Sequence, residues 1–183
     1  GRACAVRFAR EGLRVVVVDR TEADGRETVD ILKSTGAEAL FVHADVSADK
    51  ECRHFALAAT EAFGRIDVLV ANAGVRVFGT VLDATEEDWD RILSVNLKGV
   101  SFSCKAVLPK MIEQNSGAVV LIGSTTALTG RTHMPLYDAT KFGVLSLTRS
   151  LAATYGKNGI RVNAVCPSLT LTDFHFGKAA AEG

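Results

Sequence analysis

Two hydrophobic rhythms alternate along this chain. Residues 2–11 place Cys4, Ala5, Phe8 and Ala9 at helical spacing, and Gly12 is a natural helix stop. Residues 14–18 then run into Val15-Val16-Val17-Val18, a β-branched stretch typical of a strand buried on both faces, and it ends at Asp19. A helix is expected over 22–34, closed by Gly36, then a short strand over 39–43 that leads to Asp45-Val46. Ser47 is positioned to cap a helix running to Phe63, with Gly64 ending it. Residues 66–70 read as another buried strand, entering Ala71-Asn72-Ala73-Gly74.

Thr85 offers an N-cap, with Asp88 three residues on and Glu86 and Glu87 in the first turn. The helix it starts is expected to run long, to about 113, with Pro109 kinking or weakening it. A strand over 118–122 delivers Ser124, and Pro135 opens a helix to about 155. The last strand, 161–166, is stopped by Pro167. Strands and helices thus alternate through residues 1–183 as one domain without repeats or linkers. The expected class is α/β: a doubly wound, mostly parallel sheet of apolar strands with helices on both faces. Such sheets bind ligands beyond the carboxyl ends of their strands. Asp19, Asp45, Asn72, Ser124 and Pro167 all fall at or just after strand ends.

Composition narrows the classes. With 183 residues, 48% of them hydrophobic, the chain can bury a sizeable core. Its formal net charge is zero, so it carries no basic footprint for nucleic acid. No apolar run is long enough to cross a bilayer, and no basic-then-apolar leader opens the chain. Cys4, Cys52, Cys104 and Cys166 lie far apart, as do the four histidines, which argues against a metal site or redox pair and for reduced thiols in the cytoplasm. The sequence begins inside a helix pattern without Met and ends in polar, small residues 178–183, so it is expected to be a fragment with its first strand missing.

The sharpest chemical signal is Tyr137-Asp138-Ala139-Thr140-Lys141, with Ser124 thirteen residues upstream and Asn96 further back. On a helix, positions four apart share a face, which sets an ammonium beside a phenol. A phenol ordinarily titrates near about 10, and a neighbouring cation favours the phenolate, the form a general base needs. Ser124, at a strand end, can hold the substrate oxygen that exchanges its proton with Tyr137. A lone Tyr-x-x-x-Lys arises by chance in many chains; its weight comes from company.

That company resembles the short-chain dehydrogenase/reductases over essentially the whole chain. The resemblance rests on Asp45-Val46, Ala71-Asn72-Ala73-Gly74, Asn96 in Ser94-Val95-Asn96, Ser124, Tyr137-x-x-x-Lys141, and Pro167 followed by Thr172. It implies a Rossmann-like fold and a Tyr-Lys-Ser-Asn mechanism. Tyr137 would be the general acid/base. Lys141 would favour its phenolate and hold the nicotinamide ribose, Ser124 would orient the substrate oxygen, and Asn96 would anchor a water that passes protons from Lys141 to solvent.

For the cofactor, Asp19 can accept both hydroxyls of an adenosine ribose and would repel a 2′-phosphate, which favours NAD over NADP. Asp45 and Val46 resemble the adenine contacts. Asn72 resembles a residue tying neighbouring strands, and Ala73 and Gly74 allow close backbone approach. Gly1 looks like the last glycine of the turn that lays the pyrophosphate on a helix N-terminus. Pro167, Thr170 and Thr172 fall where the family holds the nicotinamide; Ser168 and Thr170 depart from its usual glycine and apolar residue.

Val75, Thr126, His133, Met134 and Phe174 are expected to line a substrate pocket of mixed character. The helices near 85–113 and 135–155 carry apolar residues on several faces, among them Phe142, Val144, Leu145, Leu147 and Leu151. By resemblance they form the interface of a homo-oligomer, a homotetramer in the family. The leading expectation is a hydride transfer between NAD and a secondary alcohol or ketone. An NADPH-dependent 3-oxoacyl-thioester reductase and a non-catalytic dinucleotide-binding fragment stand as alternatives.

Overall fold

The structure is a computed structural model that describes residues 1–170. The elements follow in the order α1 (Arg2–Arg10), β1 (Val15–Asp19), α2 (Glu22–Ser34), β2 (Ala39–His43), α3 (Asp49–Phe63) and β3 (Val68–Ala71). After them come α4 (Glu86–Leu93), a π-helical segment (Ser94–Gly99), α5 (Val100–Gln114), β4 (Gly117–Ile122), α6 (Thr126–Thr129), α7 (Pro135–Tyr155), a 3-10 turn (Gly156–Asn158) and β5 (Ile160–Val165).

The strands pair in parallel throughout, and the connections carry helices, as parallel neighbours require. They make two sheets, however: β1 with β2, and β3-β4-β5. Helices α1 and α2 pack together over β1 and β2, while α3, α5 and α7 pack on one another and on β2 to β5. The core follows that layering. Cys52, Val107, Met111, Val119, Leu121, Val144 and Ile160 form its buried centre.

Between β1 and β3 runs a cavity of about 950 Å³, bordered by residues 15–18 on one side and 68–71 on the other. This slot explains the first correction to the sequence reading. Every residue of β1 is only half-buried, as are Val68, Leu69 and Val70 of β3, because the slot borders them. In contrast, β4 is inserted between two partners, with Val119 and Leu121 sealed at 1% and 0% exposure. The edge strand β5 alternates instead: Ile160 and Val162 are buried, while Arg161, Asn163 and Val165 face outward.

Local signals mostly hold. Thr85 and Asp88 close the expected capping box, Pro135 sits in the first turn of α7, and Gly64 ends α3 in the left-handed conformation. Ser47 does not cap α3; the N-cap is Ala48, and the Ser47 N–H closes a turn on Asp45 instead. Nor does Pro109 break the long helix. It stays inside α5 on an exposed face. The interruption falls at Ser94–Gly99, where the winding loosens to π geometry around Asn96.

Candidate active site

Because all strands run parallel, their carboxyl ends share one edge, and the predicted residues gather there in two groups. The first surrounds the slot. Gly1, Asp19, Asp45, Val46, Asn72, Ala73 and Gly74 all line that cavity, which extends past the strand ends. Gly1 precedes α1 and lies against Asn72: a β-carbon on Gly1 would stand 3.2 Å from the Asn72 Nδ2. Asn72 itself is exposed at this rim.

Asp19 is fixed at the end of β1 by the Thr21 N–H, which donates to its Oδ1 at 2.8 Å. Asp45 is held the same way, its Oδ1 accepting from the Ser47 N–H at 2.8 Å and its own N–H donating to Glu51 Oε2 at 2.6 Å. That Ser47 N–H is the main reason its carboxyl sits below the usual range; partial burial opposes the shift, and the Ser47 side chain and Arg20 add to it. Val46 is pressed from behind by Gly99, where a β-carbon would come within 2.9 Å of Val46 Cγ2. Sequence reading passed over Gly99, the last residue of the π segment, whose close approach to Val46 no local pattern records.

The second group is built on β4 and α7. Ser124 lies two residues past β4 and is 7% exposed. Lys141 is 3% exposed, and its Nζ donates to the Ile122 carbonyl at 2.6 Å while standing 5.6 Å from the Tyr137 ring centroid. Burial pushes its pKa down to about 8, opposed by Cys166 and assisted by Arg76. The Arg131 guanidinium also lies over the Tyr137 ring, 5.4 Å from its centroid.

Asn96 joins the two groups. Fully buried in the π segment, it donates from Nδ2 to the Val75 carbonyl at 2.9 Å and to Thr140 Oγ1 at 3.3 Å, and its Oδ1 accepts from the Val75 N–H at 2.8 Å. Its amide therefore clamps the chain leaving β3 to the helix that carries Lys141. Gly74 marks the junction: a β-carbon there would lie 3.4 Å from Asn96 Oδ1 and 3.7 Å from Lys141 Nζ.

Around Ser124 the structure adds partners that sequence reading did not connect. Ser124 Oγ and Thr126 Oγ1 are 2.8 Å apart, and Thr126 Oγ1 donates to Asp138 Oδ1 at 2.6 Å. Thr126 begins α6, a helix of four residues too short to show a periodic pattern. Arg131 lies 3.7 Å from Asp138 Oδ1.

The remaining candidates are more peripheral. The Pro167 carbonyl accepts from the Thr125 N–H at 3.2 Å, extending the β4–β5 pairing beside Ser124. Thr170 is exposed, donating to the Ser168 carbonyl at 3.3 Å. Thr172 and Phe174 lie outside the described residues. Met134 is buried at the start of α7, which corrects its placement on a pocket wall. His133 is exposed with a left-handed backbone, its carbonyl tied to the Gly79 N–H at 3.0 Å. Among the described residues no group of three or more His, Cys, Asp or Glu side chains comes together as a metal site would require.

Known proteins resemble this chain in sequence and in fold. Residues 1–182 match the family described as short chain dehydrogenase. An oxidoreductase of Thermotoga maritima is 40% identical over 173 residues, covering 94% of this chain and 68% of the relative. The meso-2,3-butanediol dehydrogenase of Serratia marcescens is 38% identical over 179 residues, covering 97% of this chain and 69% of its own length. Among solved structures, NAD+-bound xylitol dehydrogenase superposes with a TM-score of 0.94 at 29% identity, over 98% of this chain and 69% of that one. With the sequence match spanning the chain and the fold matching at that level, this protein belongs to the short-chain dehydrogenase family, and its Rossmann-like sheet is that of an oxidoreductase.

Proposed function

We propose that this chain carries the site of an NAD-dependent oxidation of a secondary alcohol to a ketone, and of the reverse reduction. The observation that carries the reading is Lys141, buried at the end of β4 beneath the Tyr137 ring with its pKa down to about 8. A buried ammonium poised near neutrality is what a proton exchanger beside a phenol requires.

The polar groups at the strand ends around the slot suit a dinucleotide. Asp19 would take the adenosine ribose hydroxyls and disfavour a 2′-phosphate, so NADP is the less favoured partner. Asp45 and Val46 would flank the adenine, and the amides at the start of α1 after Gly1 would meet the pyrophosphate. Ala73, Gly74, Asn72, Lys141, Pro167, Thr170 and Thr172 would border the nicotinamide half. When bound, NAD supplies the hydride acceptor.

The chain's own residues move the proton. Ser124 holds the alcohol oxygen, and Tyr137 removes its proton as the ketone forms. Lys141 then passes charge outward. With the Asn96 amide committed to Val75 and Thr140, a water at the end of that path falls to the main chain of the π segment. Two of the thiols stay out of the chemistry: burial raises Cys52 and takes Cys104 to about 12.

Oligomerisation belongs to the same proposal. Trp89 on α4 and Phe142 on α7 are partly exposed at 37% and 52%, and a groove of about 410 Å³ runs between α5 and α7 past Leu108, Pro109, Ile112, Leu151 and Tyr155. A second copy covering these helices would bury them, as in a homotetramer. Butane-2,3-diol with NAD is the probe for turnover. Tyr137→Phe is expected to lower its turnover by about 10²- to 10⁴-fold with NAD affinity unchanged; turnover retained in that variant overturns the assignment.

A further inference from the structure

Resting on that reading, the geometry points to Asp138 and Thr126 as positioning residues that set the direction of the Ser124 hydroxyl. The argument is a count of protons. A carboxylate accepts only, and a hydroxyl has one hydrogen to give and two lone pairs. Thr126 Oγ1 lies 2.6 Å from Asp138 Oδ1, so its hydrogen goes to the carboxylate. Its contact with Ser124 Oγ, at 2.8 Å, must then be one in which Ser124 donates. Ser124 Oγ also accepts from the Thr126 N–H at 3.2 Å. One lone pair of Ser124 is left.

The hydroxyl therefore presents itself to an incoming substrate as an acceptor. An alcohol O–H can meet that lone pair with the relay intact. A ketone has no hydrogen to offer, and holding it requires Ser124 to withdraw its proton from Thr126. The relay favours the alcohol over the ketone in the bound state. It is built to keep this sense: the Asp138 side chain is 12% exposed, and the Arg131 guanidinium lies 3.7 Å from its Oδ1. Asp138 Oδ2 is buried without a hydrogen-bond partner, so the carboxylate is committed through its other oxygen. Asp138 follows Tyr137 directly, so one turn of α7 holds both the proton acceptor and the group that aims the serine.

The test compares Thr126→Val, Thr126→Ser and Asp138→Ala with the unaltered chain, using butane-2,3-diol with NAD and acetoin with NADH. In Thr126→Val the KM for acetoin is expected to fall relative to that for the diol by about fivefold, the scale of one hydrogen bond. Asp138→Ala moves the ratio the same way, Thr126→Ser keeps the unaltered ratio, and NAD affinity by fluorescence titration stays constant. A ratio unmoved in Thr126→Val, or moved equally in Thr126→Ser, overturns the proposal.

A second measurement needs no turnover. Urea unfolding of Ser124→Ala, Asp138→Ala and the double variant is expected to give non-additive losses, as linked groups do. Additive losses overturn the relay even in an active protein. Non-additive losses in a chain that turns over neither probe remove the diol and acetoin as its substrates and leave the relay standing.

Discussion

The two sides of the sheet edge are finished to different degrees. Around β4 and α7 the chemical groups are buried, bonded and mutually fixed: Lys141 on the Ile122 carbonyl, Ser124 on Thr126, Asn96 on Val75. Around β1 and β3 the residues are half-buried along an open slot, and Asp19 and Asp45 are set by single turns at the strand ends. Proton transfer tolerates little misplacement, so its groups are built into the core.

The largest expected effect tests the buried side directly. Lys141→Met should cut turnover of the diol by about 10²- to 10⁴-fold. The same variant should also expose what that lysine costs. Its pKa in the fold, about 8, lies below the ordinary 10.5, so between those values the unfolded chain holds more protons and stability rises with pH. Below about 8 the burial penalty is fully present. Urea unfolding at pH 7.5 and 10 should show the unaltered protein gaining on Lys141→Met by no more than about 3 kcal/mol. A constant difference between the two proteins would mean that Lys141 is not the group responsible.

Packing should separate the two sides next. Leu121→Ala, in the sealed strand β4, is expected to cost about 3–5 kcal/mol, whereas Leu69→Ala beside the slot should cost about half as much, since its side chain already borders open space. Equal losses would erase the distinction. A smaller effect follows at the rim. Asp19→Ala should lower the preference for NAD over NADP by about tenfold, the work of one charged hydrogen-bonding group, with chemistry on bound cofactor unaltered. The smallest concerns the outer helices: Phe142→Ser should shift stability within about 0.5 kcal/mol, while light scattering registers a loss of assembled mass.

How far these features could be read from sequence depends on what fixes each one. The valine run of β1, the capping box of Thr85 and Asp88, and the proline opening α7 are local, and they were legible. Tyr137 and Lys141 were legible because helical spacing alone makes them neighbours. The π segment was not, since looser winding around Asn96 is decided by the Val75 and Thr140 contacts, 21 and 44 residues away along the chain. Pro109, expected to kink or weaken the long helix, lies inside a continuous α5. The bond from Thr126 to Asp138 spans twelve residues across a turn, so neither residue announced it. The half-burial of β1 depends on the space beside it, which the pattern of its own side chains cannot record.

Asn96 has one further consequence, and it concerns time. The Val75 amide belongs to a loop, yet its hydrogen ends on a side chain that is wholly excluded from solvent. For that amide to exchange with deuterium, the π segment must first let go of it, and the same release unfastens Thr140 beside Lys141. Val75 should therefore exchange on the slow scale of the core strands, far behind the loop residues that follow it. Its rate is a clock for how often the catalytic helix comes loose.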